Sequence, residues 1–510
     1  MLLDFENGRH LAIGLLPELI LTVWAMLLVL HAAWRHKDPG AQRETGWLAL
    51  VGVVLAAGAT IWLWRSGAHI DGIATSVALD GFRWALTLII LVGVGLTTVL
   101  AIGYLDREGI AVPEYHAMVL FAAVGMLFMV SGADLLVIFL GLETMSVSIY
   151  VLAGINRRSA FSAEAALKYV LIGAFASAFL LYGIALLYGA TGTTKIELLG
   201  VQSAHVLPGL TLLFRAGLAL LFVGFAFKVA AVPFHMWAPD VYDGAPTPVT
   251  ALMAATVKTA AFGAFARILL QGLDADQAHW AGVIWWLAAV TMIVGNLLAL
   301  AQRSLKRMLA YSSVAHAGYL LAALIPGSPA GAGAFLYYLL FYTLATVGAF
   351  AVLVARGRGG ERDVVTDDLA GLAESDPALA AIMAICMLSL LGFPGTAGFI
   401  GKWYILATAT GGGVTTIAVI MVLTSLVSAG YYMPVIMAMY MKPRLHAQSH
   451  ADTVLPGVMR GVLIAAMLGV IAFGIWPGNA LTMARSASRV FMSQNITSVA
   501  TPTPYPPGHP

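Results

Sequence analysis

The sequence predicts an all-α polytopic membrane protein of about fourteen transmembrane helices, and three observations carry that prediction. The chain is 60% hydrophobic and 10% charged, with a mean hydropathy of +0.89, whereas ordinary soluble domains carry about 25% charged residues. Nearly all of its 510 residues fall in apolar runs of roughly 17 to 25 residues, the length a helix needs to cross about 30 Å of hydrocarbon. The polar links between the runs alternate in basic content, as the links of a membrane protein do.

In chain order the runs cover 11–33, 45–64, 82–104, 115–131, 133–153, 163–188, 210–232, 247–270, 279–301, 308–325, 331–355, 377–409, 414–441 and 457–476. The first follows Asp4 and Glu6 rather than a basic n-region, so it reads as a retained helix and not a signal peptide. Only Ser131 and Gly132 separate the fourth run from the fifth. Charge tests that split. One set of alternate links holds Arg35, Lys37 and Arg43; Arg107; Arg157 and Arg158; Arg303, Lys306 and Arg307; Arg356, Arg358 and Arg362; and Lys442, Arg444 and Arg460. The other holds little beyond Arg65 and Lys195. A miscount in the middle would scramble the alternation, so both termini are expected on the outer side. One inner link is anomalous, because Pro239 to Pro248 contains Asp240 and Asp243 and no base. The stretch after Trp476 is weakly amphipathic and ends in TPTPYPPGHP, which predicts a disordered tail.

Two runs are interrupted by proline beside a lysine: Lys228 with Pro233, and Pro394 ahead of Lys402 in GFPGTAGFIGKWYIL. Proline removes a backbone N–H, so Pro233 would free the carbonyl of Val229 at membrane depth. Broken helices are therefore expected near Pro233 and Pro394. Their reversed order of proline and lysine suits an inverted repeat, in which discontinuous helices build the ion site.

Several function classes are excluded. The single cysteine, Cys386, rules out an internal disulfide and a cysteine-ligated iron–sulfur cluster. A formal net charge of +2 gives nucleic acid no electrostatic footing. GFIGKW lacks the glycine and Ser/Thr of a phosphate-binding loop, and no dense His/carboxylate cluster predicts a metal site.

Charged side chains at mid-bilayer cost roughly 2.5 to 3.5 kcal/mol, so an intramembrane ionisable residue reads as functional by default. Lys228, Lys258 and Lys402 all lie within apolar runs, and so does Glu143 in DLLVIFLGLETMSVSIYVLAG. Glu143 has no partner on its own helix, and Lys228 is its natural counter-charge, either as a switchable pair or as a permanent tie between helices. For Lys258 and Lys402 the competing reading is snorkelling to the interface. Lys168 stands four residues after Glu164, either as a solvated pair or as a relay member. His235 follows Lys228 by seven residues and would share its face if the helix continued past Pro233. His316 lies one turn from Tyr311, Ser312 and Ser313; both histidines fit a proton wire or simple packing. Asp134, at a helix edge, reads as an interface residue.

FKVAAVPFHMWAPDVYDGAPTPVTALMAATVKTAAFG, SLKRMLAYSSVAHAGY and GFPGTAGFIGKWY resemble the signature stretches of the proton-pumping, antiporter-like subunits of respiratory NADH:quinone oxidoreductase, complex I. GLETMSVSIYVLAG, FSAEAALKYVLIGAFASAFLLYGIALLYG and PDVYDGAPTPVT are similar to the subunit-N branch of that family. The resemblance implies fourteen helices: helices 1–3 in 1–114, two inverted five-helix repeats in 115–270 and 280–441, a last helix at 457–476 and a tail at 477–510. It implies Glu143 and Lys228 as a coupling pair, Lys258 as central relay and Lys402 as the second-repeat lysine. It also implies NADH, FMN, iron–sulfur clusters and quinone in partner subunits and none in this chain, other membrane-arm subunits and lipid as neighbours, and the bacterial inner membrane as location. The competing expectations are a subunit of a multi-component Na⁺/H⁺ antiporter and a structural membrane spacer.

Overall fold

The computed structural model describes residues 2–3, 8–35, 38, 40–70, 76–110, 112–203, 205–357, 364–443 and 457–499. Apart from two paired two-residue strands, Leu2–Leu3 and His69–Ile70, the described chain is helical. Its principal helices are α1 (Leu16–Trp34), α2 (Ala41–Arg65), α3 (Gly81–Arg107), α4 (Tyr115–Ser131), α5 (Leu135–Ala153), α6 (Ala160–Thr191), α7 (Thr211–Lys228) and α8 (Trp237–Gly244). There follow α9 (Thr247–Gly272), α10 (Gln277–Leu300), α11 (Leu305–Leu324), α12 (Pro329–Arg356), α13 (Pro377–Leu391), α14 (Ala397–Gly411), α15 (Thr415–Met441), α16 (Gly457–Ile475) and α17 (Gly478–Val499). Among the described residues ten helices are long and apolar enough to cross a membrane. The chain does divide at Ser131–Gly132, where α4 stops and the Asp134 carboxylate accepts from Leu136 N at 2.8 Å to start α5.

Local chemistry sets many other boundaries. Asp80, Ser159, Ser304, Ser328 and Asp376 each accept a backbone N–H at the first turn of α3, α6, α11, α12 and α13. Packing within the bundle follows small residues, because lipid tails give apolar side chains no reason to leave them. A Cβ on Gly183 of α6 would fall 2.7 Å from Leu221 N and 2.8 Å from Gly217 O, so α6 and α7 touch backbone to backbone. The central helices α9 and α12 are almost wholly buried, and the others surround them.

The two breaks differ from the expected pattern in position. In the first, α7 ends on Lys228, five residues before Pro233. Ala230 turns with φ 58°, Ala231 N closes on Ala226 O at 2.8 Å, and Trp237 Nε1 takes the carbonyl of Phe227 at 2.9 Å. The helix is thus terminated by a capping turn, and the proline sits in the linker that follows. In the second, Gly392 turns at φ 89° and Phe393 N closes on Leu388 O at 2.9 Å. Two π-turns, Met253–Val257 and Ile268–Gly272, lie inside α9; no sequence signal announced them.

The tail expectation is corrected. Residues 478–499 form α17, bent 82° from the preceding helix, and it packs on α3 and α12. The Phe491 ring stacks on Phe82 at 4.3 Å, and Ser488 donates to Pro329 O at 2.8 Å. An amphipathic pattern too weak to read alone is fixed here by aromatic packing. TPTPYPPGHP lies outside the described residues.

Links of alternate parity gather at opposite ends of the bundle. At one end Arg43 pairs with Asp106 at 2.9 Å, Arg107 donates to Val354 O at 2.7 Å, and Lys442 pairs with Asp367 at 2.8 Å. Lys37, Arg358, Arg362 and Arg444 lie outside the described residues. At the other end are two ion pairs that sequence reasoning passed over. Arg83 meets Glu18 at 2.7 Å with exposures of 0% and 1%, and Arg267 meets Asp80 at 2.7 Å with exposures of 0% and 2%. Gln271 accepts from Arg267 at 3.0 Å and donates to Phe491 O at 3.0 Å, joining α3, α9 and α17. Removing one partner of a buried pair strands the other charge, at a cost of about 3 to 5 kcal/mol. Asp80→Ala is therefore expected to lower the thermal midpoint of the assembled protein in detergent sharply, and a midpoint within experimental error of the parent's would exclude this role.

Candidate functional site

The three intramembrane lysines all point inward, with exposures of 4% for Lys228, 2% for Lys258 and 6% for Lys402. None snorkels. Each instead meets hydroxyls and carbonyls, which satisfy an ammonium's three donors without fixing its charge as a carboxylate would.

Lys228 occupies the last turn of α7, where the exposed carbonyl ends of a helix favour a cation. Its ammonium donates to Ser146 Oγ on α5 at 2.7 Å, and Ser146 donates onward to Leu142 O at 2.5 Å. The rings of Tyr150 and Tyr169 flank it at 5.7 and 5.4 Å, within cation–π range. The direct Glu143–Lys228 pair is not formed. Glu143, half-buried one turn before Ser146 on α5, accepts from the Ser177 hydroxyl of α6. Its carboxylate nevertheless interacts electrostatically with the ammonium. Successive turns of α5 therefore place a hydroxyl against the lysine and the acid to one side.

Lys258 follows the first π-turn of α9 and donates to Ser313 twice, to the backbone carbonyl at 2.5 Å and to the hydroxyl. Tyr342 of α12 donates to the same hydroxyl at 2.9 Å. Tyr242 of α8, edge-on to Trp237 at 6.0 Å, also interacts with the Ser313 side chain. That brings the Lys228 and Lys258 regions together through α8.

His316 lies 1% exposed on α11, one turn from Ser312 and Ser313. Its Nδ1 meets Tyr338 Oη at 2.6 Å and its Nε2 meets Tyr432 Oη at 3.3 Å; Tyr432 in turn contacts the Ser312 hydroxyl. The imidazole senses both Lys258 and Lys402 electrostatically, so it stands between them. Lys402, on α14, reaches back across the second break to donate to Leu391 O at 2.9 Å and to Ser425 Oγ of α15 at 3.1 Å. Its ammonium lies 4.6 Å from the Tyr319 ring, whose hydroxyl accepts from Asn296 Nδ2 at 3.2 Å. Ser146, Ser177, Ser425, Tyr338 and Tyr432 were not singled out from the sequence. The only signal was a hydroxyl inside an apolar run, and such residues are common there.

Two candidates fall outside this line. His235 is not on the face of Lys228, because α7 stops before it; it is half-buried, 6.5 Å from the Tyr311 ring. Lys168 lies at the basic end of the bundle, 40% exposed, pairing with Glu164 at 2.8 Å and Asp240 at 2.9 Å. Arg307 of α11 reaches the other Asp240 oxygen at 2.8 Å and Asp243 at 3.7 Å, while Lys306 donates to the carbonyls of Asp243 and Ala245. The acidic link between Pro239 and Pro248 thus draws its bases from α6 and α11. Asp134 accepts from Thr194 Oγ1 at 2.8 Å, which is a structural role.

Residues 132–428 match the family described as "NADH:quinone oxidoreductase/Mrp antiporter, TM". The chain is 46% identical to the NADH-quinone oxidoreductase subunit N of Gemmatimonas aurantiaca, covering 95% of each sequence. It is 43% identical to that of Trichlorobacter lovleyi, covering 93% of this chain and 96% of the relative. A chain of respiratory complex I from Thermus thermophilus superposes with a TM-score of 0.77 at 37% identity, over 92% of this chain and 100% of that one. A chain of the Mrp complex from Dietzia sp. shares the fold at a TM-score of 0.81 but only 21% identity, over 95% of this chain and 99% of that one.

Burial opposes ionisation of Asp240, but the hydrogen bonds and charges of Lys168 and Arg307 outweigh it and hold the carboxyl below its ordinary value of 3.8. A depressed carboxyl contributes stability that is complete above the unfolded value and is lost as pH falls through the folded one. The thermal midpoint of the assembled protein should therefore fall as pH drops below about 4, and Asp240→Asn should remove part of that dependence. Superimposable pH profiles for the two proteins would contradict the assignment.

Proposed function

This chain belongs to the family of NADH:quinone oxidoreductase and Mrp antiporter membrane subunits, in its subunit-N branch, and from that premise we propose that Lys228, Lys258, His316 and Lys402 pass protons through the membrane in response to Glu143. The chain is a membrane-arm subunit of a proton-translocating NADH:quinone oxidoreductase and sits with the other membrane-arm subunits of that complex. It carries no redox centre. NADH, FMN, iron–sulfur clusters and quinone are assigned to partner subunits, so what reaches this chain is a change of charge or shape at its boundary. The bacterial inner membrane is the assigned location.

In the architecture proposed, fourteen spans comprise three leading helices, inverted five-helix repeats over 115–270 and 280–441, and a last span at 457–476. Two features support the repeats. Each begins with a helix pair joined at glycines, Gly125 with Gly141 in α4–α5 and Gly295 with Gly318 in α10–α11, where an added Cβ would lie within 3 Å of the facing backbone. Each also contains one break with a lysine ammonium at the C-terminal end of its first half-helix. The basic end of the bundle is assigned to the cytoplasm and both termini to the outer side.

The observation that carries the relay is the succession of groups from Lys258 through Ser313, Ser312, Tyr432 and His316 to Tyr338, with Lys402 and Ser425 beyond. Every member can both give and take a proton or hydrogen bond. A shift of charge near Glu143 changes the proton affinity of Lys228, which passes its proton toward Lys258 by way of α8. The imidazole then carries it to Lys402. Lys168 belongs to the ionic cluster at the basic end, and His235 has no place in this succession.

Lys228→Ala or Glu143→Ala should cut NADH-driven acidification of inverted membrane vesicles sharply, by about tenfold if proton transfer through this subunit limits the rate, while the complex assembles normally. Undiminished pumping in both variants would refute the relay. Purification also separates the readings: isolation with flavin and iron–sulfur subunits fits the oxidoreductase, whereas sodium-dependent transport without them fits an antiporter. The 40–46% identities to subunit N favour the first.

A further inference from the structure

A crevice of about 280 Å³ runs between α7 and α10, away from the buried lysines. Its α7 wall is Leu218, Phe222 and Ala226, four residues apart and so on one helical face; Val283 and Leu287 face them from α10. Phe234, in the linker after the first break, closes the deep end. The wall is apolar throughout its length. Polar groups occur only at the rim, where Arg215 is exposed and Asp276 meets His279 at 3.4 Å through one carboxylate oxygen. The second oxygen, Oδ2, is buried without a hydrogen-bond partner.

Dimensions select the occupant. From Arg215 to Ala226 the helix rises about 16 Å, roughly half the 30 Å hydrocarbon core, so the crevice has the depth of one leaflet. A helix of a neighbouring subunit, about 10 to 12 Å across with a 5.4 Å pitch, needs about 430 to 600 Å³ per turn, and 280 Å³ cannot admit even one. An acyl chain fits. The rim then specifies the head group, because it offers a guanidinium for a phosphate and a half-satisfied carboxylate for an ammonium. We propose that this crevice binds one acyl chain of a phosphatidylethanolamine-type phospholipid, its phosphate on Arg215 and its amine on Asp276 Oδ2. The lipid would seal the membrane-facing side of the first break within a few residues of Lys228.

The test uses the assembled complex reconstituted in vesicles, with phosphatidylethanolamine carrying a photoactivatable diazirine on its acyl chain and adducts mapped by mass spectrometry. Adducts on both α7 and α10 are expected, with a phosphatidylglycerol analogue labelling severalfold less. Asp276→Asn should reduce phosphatidylethanolamine labelling about fivefold, the value of one exposed ionic contact of about 1 kcal/mol. Ala219→Trp, which fills the crevice from its rim side, should abolish it, with co-isolation of the partner subunits showing that each variant assembles. Equal labelling by the two lipids together with no effect of Asp276→Asn would overturn the proposal. So would an absence of lipid adducts with a partner subunit cross-linking to the same residues.

Discussion

The fold is arranged around the cost of holding ammonium groups in hydrocarbon. An unpaired charge at that depth is expelled or neutralised unless donors and dipoles replace its water. Here the replacement comes largely from the ends of helices. Lys228 lies in the last turn of α7, the ammonium of Lys402 sits on the last carbonyl of α13, and Lys306 takes two carbonyls at the end of α8. A continuous helix has no carbonyls to spare for this purpose, because each accepts from an N–H four residues on. Interrupting α7 and the α13–α14 pair is what makes the negative ends available at membrane depth, and the interruptions fall beside the cations for that reason.

Ion pairs are correspondingly absent from the middle and dense at the ends. The basic end is tied by Asp240 with Lys168 and Arg307, and the opposite end by Arg267–Asp80 and Arg83–Glu18. A carboxylate against each central lysine would hold its proton in place; hydroxyls do not, since serine and tyrosine accept from an ammonium and donate to an amine equally well. The bundle is thereby clamped at both surfaces by charges that do not need to change. The interior stays free to titrate without losing its fold.

This division also explains what could be read in the chain beforehand. Apolar runs and isolated lysines are local facts, visible as letters, and the helices and the residues Lys228, Lys258, Lys402 and Glu143 follow from them. Contacts between runs are not local. Nothing in the sequence near Ser146 or Ser425 tells which lysine will meet it, and Arg267 looks like the ordinary basic end of a span until Asp80 folds against it. His235 was misplaced because proline was taken as the break, whereas the capping turn at Ala230 ends the helix first. The helix at 478–499 was missed because its stability comes from Phe82 and Gln271, more than two hundred residues away in sequence.

The indirect geometry of Glu143 and Lys228 has a consequence for how a signal could be received. Two unit charges in contact at 4 Å interact by about 4 kcal/mol at an effective dielectric of 20, a pair that would seldom part; at 10 Å the figure is about 1.7 kcal/mol, close to one pKa unit. With Ser146 holding the lysine and Ser177 holding the acid, each charge keeps its own hydrogen bond, and only the long-range part of the interaction is shared. Neutralising or displacing Glu143 then changes the proton affinity of Lys228 by about tenfold without breaking any contact the lysine makes. A half-buried acid joined in this way suits a receiver at the edge of the subunit, because it can respond to a neighbour's charge while the buried groups behind it stay in place.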